Sequence, residues 1–390
     1  MLKCASAYTY EIDDPAVAID EIRSQLEKTP LMKNTVGIIM CNPEYIASGV
    51  VEHLCRSLPY GLVGITTSSQ AVNGEAGELM LTVFIMTSDD VVFKTGVTGS
   101  LDDGVAEPVV KALGEAAAGI PEMPKLALIF PPLLLKYAGD AYIEACRDVL
   151  PGVPVFGSFA VDDTLTFEGN RTICGGEGHK DSMAFVLCYG NISPRFLIGT
   201  LPDDKTMPYK GEITKSSGPY VREINNMSAY KYFESIGFTS NGALADNYLF
   251  VPFVIDQKKR EDYDGVPVIR GHASFTEDGG AIFRGNVDEG STFTLLTCGP
   301  EDILKTTREK IAQINAMPDV NGALLFPCIV RRMILQRLHH LKGLETVRDG
   351  LDPGIPFMMG YSGGEICPTS FREGVPVNRF HNYSLVILVV

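Results

Sequence analysis

The sequence predicts an α/β fold with mixed sheets, covered by helices on at least one face and divided into two domains. Three observations carry this. A length of 390 residues exceeds what one hydrophobic core ordinarily fills. Apolar, β-branched runs alternate with helix-patterned segments, the signature of sheets layered against helices. Finally, one unit of strand, helix, strand and strand recurs three times along the chain.

In the first copy, residues 36–40 form an apolar strand, 44–58 carry a helical pattern, and 61–67 and 79–86 supply two further strands. The second copy places the same elements at residues 126–130, 137–150, 153–160 and 182–189. The third places them at 323–326, 333–348, 356–362 and 383–390. Between the second and third copies, residues 200–297 are rich in turn chemistry and poor in helical pattern, which predicts a strand-rich bridge. Short helices are expected at 228–236 and 300–313, the latter opening with Glu301 and Asp302 where the helix dipole favours acids. The domains are accordingly expected at residues 1–222 and 223–390.

Composition narrows the function. Thirty-three basic against 48 acidic residues give a net charge of −15, and no local basic run stands against it. Nucleic acid and anionic membranes are therefore disfavoured as partners. The first residues lack the apolar core of a secretory signal, and the longest apolar run, 126–135, is about half a membrane span and contains Pro131 and Pro132. A cytoplasmic location without a membrane anchor is expected. The nine cysteines form no CxxC pair, which excludes the common zinc and thioredoxin-type patterns.

No P-loop, HExxH, EF-hand or GxSxG sequence is present. The Gly175–Gly176 pair lacks the spacing of a nucleotide fingerprint and predicts a tight turn. His339 and His340, near Arg331, Arg332 and Arg337, suggest a solvated basic helix face.

A glycine followed by small or hydroxylic residues recurs where the second strand of each copy leaves its sheet: Gly64 with Thr66 and Thr67, Gly157 with Ser158, and Gly360 with Ser362. They serve either close packing or backbone approach to a ligand. In the third copy Cys328, Arg331, Glu365, His381 and Asn382 fall at expected strand ends, where ligands gather in α/β folds. Two readings stand: a ligand site in which Arg331 holds a carboxylate, or a structural ion pair with satisfied His and Asn. Cys328 beside Arg331 also leaves room for an acid/base or cysteine enzyme.

The segments PVFGSFAVDD and SMAFVLCYG resemble the N-terminal half, and ALLFPCIVRR, GYSGGEICP and RFHNYSLVILVV the C-terminal half, of the FIST domain family. The resemblance implies a cytosolic sensory module of signal transduction that binds a small ligand such as an amino acid. Some members resemble haem-dependent nitric-oxide sensors, so haem is an alternative cofactor to none. Carried over, the family's motif residues fall on Cys328, Arg331, Gly364, Glu365, Ile366, His381 and Asn382. Val330 replaces the usual glycine before the arginine, and GYSGGE replaces an aromatic-rich pattern, which removes bulk. Family members are often fused to output domains, and this chain has no residues to spare for one, so a separate signalling protein is the expected partner. The expected ligand-binding set is Arg331, Glu365, His381, Asn382, Cys328, Gly157, Ser158, Gly360, Tyr361 and Ser362.

Overall fold

A computed structural model describes residues 2–164, 166–240, 243–244, 251–336 and 339–390. Arg337 lies outside the described residues. Among these residues the strands form three six-stranded sheets, one eight-stranded sheet and one two-stranded sheet.

The three repeats are real, and each is longer than its sequence pattern suggests. Every repeat opens with an additional strand: Leu2–Thr9, Val91–Val97 or Arg195–Gly199. An additional helix follows: Pro15–Leu26, Ala106–Ala117 or Pro300–Asn315. Next comes the strand Asn34–Cys41, Leu126–Phe130 or Ala323–Pro327, with helices that cross over to a parallel neighbour, Gly61–Thr66, Val155–Ser158 or Phe357–Gly360. Parallel pairing requires such a crossover, which explains the helix between the two apolar strands. Each repeat closes with a hairpin and a last strand, Leu81–Ser88, Ala184–Gly190 or Leu385–Val389, that runs antiparallel to its first partner.

The hairpins do not stay with their own repeat. The first repeat's hairpin begins at Gln70–Val72 and pairs with Phe357–Gly360 of the third. The second's begins at Thr172–Cys174 and pairs with Gly61–Thr66 of the first. The third's begins at Glu365–Arg372 and pairs with Val155–Ser158 of the second. This cyclic exchange locks three similar sheets around a pseudo-threefold axis.

Strand alternation then divides the side chains between two faces. Inward residues of all three sheets, among them Met40, Phe130, Phe156, Phe326 and Met358, merge into one central core. Outward residues form three peripheral cores beneath the helices. The glycines of the second strands serve this packing: a Cβ on Gly64 would sit 1.8 Å from the Ile39 carbonyl oxygen, and one on Gly157 2.3 Å from that of Ile129.

The strand-rich bridge is an insertion between the first strand and first helix of the third repeat. It carries the eight-stranded sheet and its own core around Phe233, Phe253, Phe283 and Phe293. The helix expected at 228–236 is found at Ala229–Ser235, and that expected at 300–313 runs Pro300–Asn315. Pro at its first turn and an Asp302 carboxylate accepting the Gly299 N–H at 3.0 Å fix its start. Gly175 and Gly176, at φ +63° and +89°, form a tight two-residue hairpin turn.

One expectation is corrected. The helix expected over 333–348 is two helices, Ile329–Leu335 and Lys342–Gly350, and the described residues form no single basic face. Arg331 is buried, Arg332 reaches Glu78, and His339 and His340 stack in the connection with carboxylates of Glu345 and Glu78 at 4.0 and 3.3 Å. Glu345 comes from the helix that follows and Glu78 from the first repeat, so these groups have acidic neighbours rather than forming one basic stripe.

Candidate functional site

At one end of the central core the second strands leave their sheets and meet around the axis. The Val161 N–H donates to the Thr66 carbonyl at 3.1 Å, the Gly363 N–H to that of Phe159 at 3.0 Å, and the Thr67 hydroxyl to that of Tyr361 at 2.8 Å. Thr66, Phe159 and Tyr361 are equivalent residues of the three repeats. The ten residues singled out in the sequence lie around this ring or just behind it.

Glu365 stands directly opposite Ser158 across the antiparallel pair, both pointing inward and both fully buried. Cys328 follows the strand Ala323–Pro327 and bridges to Ser362. Burial, reinforced by Glu365, raises the Cys328 thiol pKa far above its usual range. Desolvation likewise raises Glu365 well above a normal carboxyl, with the Cys328 thiol, Arg331 and the Ser384 backbone opposing it in part. Burial thus disfavours the charged form of both groups, and a protonated, 2% exposed thiol is a poor nucleophile. The Ser362 hydroxyl donates to the Gly364 carbonyl at 2.5 Å and accepts the Phe159 N–H at 3.2 Å, which shapes the loop. At Gly360 an added Cβ would lie 2.5 Å from the Met40 methyl group, so a side chain there would have to displace the end of Met40. Tyr361 turns outward into the peripheral core, its hydroxyl against Gly343.

His381 is opposite Glu365 on the hairpin, and its Nε2–H donates to the Cys367 carbonyl at 3.1 Å. Burial lowers its pKa to about 4. Asn382 accepts the Gly271 N–H at 3.3 Å and so ties the hairpin to the bridge. Arg331 is spent inside the chain. Its guanidinium donates to the carbonyls of Gly199, Tyr383 and Ile303 and to the hydroxyls of Thr306 and Thr307, at 3.0 to 3.4 Å. Those partners fix the start of the helix Pro300–Asn315 and leave Arg331 1% exposed, without a face for a ligand carboxylate. The sequence thus brings Cys328, Ser158 and Glu365 together, and holds Arg331 apart from open space.

Open space occurs elsewhere. A cleft of about 450 Å³ lies where the helix Asp140–Val149, the bridge segment 260–262 and the hairpin 365–381 converge. Its floor is Asp262, gripped by two arginines. Arg260 reaches the two carboxylate oxygens at 2.9 and 3.4 Å, while Arg379 donates at 2.7 Å and also bonds the Asp262 carbonyl. Burial opposes ionisation of Asp262, but these charge-assisted bonds outweigh it and hold the carboxyl well below its usual range. At the back, Arg270 is fully buried and bonds Asp140 at 3.3 Å, the Asn286 carbonyl at 3.1 Å and the Phe380 carbonyl at 2.8 Å. Three parts of the chain are thereby tied to one wall.

The rim carries less committed charge. Arg147, with a side chain 58% exposed, is 4.0 Å from Asp262, and Arg372 bonds the Tyr263 carbonyl at 3.3 Å. Glu144 faces them, its carboxyl raised by burial and by Asp140. Such a cleft offers both signs of charge at a size suited to a small metabolite. Arg147, Glu144, Arg260, Asp262, Arg372 and Arg379 were missed in the sequence because they come from separate segments with no shared spacing.

Among the described residues no group of three metal-ligating side chains occurs. His272, the buried histidine with both ring nitrogens unpartnered, is wedged between Phe233 and Phe275 at ring-centroid distances of 4.8 and 4.5 Å, without room for a macrocycle. No helix among the described residues is long and apolar enough to cross a membrane.

Comparison with known proteins agrees with the motifs. The FIST N domain matches residues 35–227 and the FIST C domain residues 227–368. No curated protein matches the chain. Among solved structures, that of cyanuric acid hydrolase from A. caulinodans covers 100% of this chain and 99% of its own, at 11% identity and a TM-score of 0.34. That likeness is too loose to carry an argument about chemistry. The two domain matches together cover most of the chain, which therefore belongs to the FIST family, whose domains are sensory domains of signal transduction that bind small ligands.

Proposed function

We propose that this chain senses a small zwitterion or carboxylate, such as an amino acid, bound in the cleft between the helix Asp140–Val149 and the hairpin 365–381, and signals through a separate protein. The observation that supports this is the rim. Arg147 has only a long, 4.0 Å contact with Asp262, a carboxylate already held by Arg260 and Arg379, Arg372 bonds a backbone carbonyl, and both line a metabolite-sized space beside Glu144. A ligand carboxylate gains bidentate bonds from guanidinium there, while an ammonium group is favoured by Glu144 and the neighbouring acids. Arg331, the arginine first expected in this role, has its hydrogen bonds inside the fold.

A ligand in this position touches both repeats and the bridge, so it can bias their packing, which a sensor needs. The test is a thermal-shift screen of amino acids and small carboxylates. A true ligand at a hundred times its Kd stabilises by about 2.7 kcal/mol. The shift should vanish when Arg147→Ala and Arg372→Ala are combined. A hit that stabilises this double variant as much as the unaltered protein would remove the cleft from the account.

A further inference from the structure

The axial ring contains a second set of polar groups that the cleft does not use. The cyclic exchange of hairpins places Gln70, Thr172 and Glu365 at one equivalent position, opposite Gly360, Ile65 and Ser158. All three point toward the axis, as their alternation with Val72, Cys174 and Cys367 of the central core requires. Thr172 is satisfied by the Phe130 carbonyl at 3.1 Å. The other two are not.

Both amide atoms of Gln70, the Ser158 hydroxyl and the Asn42 side-chain oxygen are buried without a hydrogen-bond partner, and both carboxyl oxygens of Glu365 lack one of good geometry, with the Cys328 thiol and the Ser384 backbone as their nearest polar neighbours. Asn42 follows the strand Asn34–Cys41 as Cys328 follows its equivalent, so the two sets repeat each other about the axis. The four side chains are between 0 and 1% exposed. Native interiors leave few such groups, and each is destabilising when dry. Here six such atoms sit in one layer capping an apolar core, whereas others among the described residues, such as the Tyr142 and Tyr189 hydroxyls of a peripheral core and the His272 ring of the bridge, lie apart from it.

We infer that this axial layer is an internal binding site for an uncharged guest that both donates and accepts hydrogen bonds, held among Gln70, Glu365, Ser158 and Asn42. The lining sets the class. It offers amide and hydroxyl donors and several acceptors, but no free cation, since Arg331 is committed elsewhere. A charged ligand would have no counter-charge. Burial favours the protonated form of Glu365, which would add a donor to the set. The guest is either ordered solvent water or a small retained organic solute of amide or hydroxyl character, which share this chemistry.

Apolar substitution tests it directly. Replacing an unsatisfied buried polar group by a side chain of similar shape stabilises a dry layer, whereas it destabilises one whose groups are bonded to a guest. Gln70→Met and Glu365→Met are therefore expected each to lower the melting temperature by several degrees, and Glu365→Gln to change it little. A rise in melting temperature in both Met variants overturns the proposal. Because a failure to fold would mimic loss of the guest, the unaltered protein is also crystallised at a resolution that reveals waters. Separate round peaks within hydrogen-bond distance of Gln70 and Glu365 identify water. Connected density, together with excess mass under native electrospray conditions, identifies an organic guest. An empty layer with no excess mass overturns the inference whatever the variants do.

Discussion

His381 makes a pH prediction that follows from its place in the fold. It is 3% exposed, and burial lowers its pKa to about 4 from an ordinary 6.5, with Arg270 and Arg379 also disfavouring a charge and Asp264 and the Cys367 carbonyl opposing them. The unfolded chain binds a proton near pH 6.5 and the folded chain only near 4, so stability is full above 6.5 and is lost as pH falls toward 4. A shift of about 2.5 units corresponds to roughly 3 to 4 kcal/mol at ~1.4 kcal/mol per unit. Between pH 7 and 5 the loss is about 2 kcal/mol. Glu365 acts in the opposite direction: raised in the fold, it relieves the folded state as pH falls toward 4.5, so total stability is a poor readout. The difference between variants is better. Urea unfolding of the unaltered protein and of His381→Gln, which keeps a donor for the Cys367 carbonyl, should diverge by about 2 kcal/mol between pH 7 and 5, with the variant less acid-sensitive. Parallel pH profiles would refute the reasoning.

The other predictions concern groups whose surroundings decide their effect. Arg331→Met should destabilise by roughly 3 kcal/mol or more, because it leaves several buried acceptors unpaired, yet any ligand found by screening should bind the folded variant with unchanged Kd in calorimetry. Arg270→Met leaves the Asp140 carboxylate with one remaining partner, the Asn286 N–H at 2.8 Å, and should cost about 3 to 5 kcal/mol in urea unfolding. Iodoacetamide at neutral pH should label the half-buried Cys55 and Cys174 before Cys328; rapid labelling of Cys328, read by peptide mass mapping, would revive a cysteine enzyme. Gly64→Ala should prevent normal folding, because a Cβ there falls 1.8 Å from the Ile39 carbonyl oxygen.

Much of the fold was legible in the sequence because its repeat is local. Apolar runs of strand length separated by helix patterns identify the parallel pairs, and the recurring Gly64 and Gly157 mark where those strands pack closest. The exchanged hairpins were not legible, since nothing in Gln70–Val72 states that its partner is Phe357–Gly360, some 290 residues away. The site divides in the same way. Cys328 and Glu365 stand out as motif residues, and a strict alignment of the repeats would have added Gln70 at the register of Glu365. Arg331 misled because polarity in a sequence does not reveal whether partners are internal. Arg147, Asp262 and Arg372 share no motif and become neighbours only when a helix of the second repeat meets the bridge and the third repeat's hairpin.

The central claim is that an anionic or zwitterionic metabolite occupies the cleft beside Arg147 and Arg372. Its most direct test is a crystal structure of the protein grown with the strongest hit from the thermal-shift screen. The account predicts ligand density in the space lined by Glu144, Arg147, Asp262 and Arg372, with the ligand carboxylate within hydrogen-bond distance of at least one of the two rim guanidinium groups. Density at any other place, with this cleft holding only solvent, would contradict it.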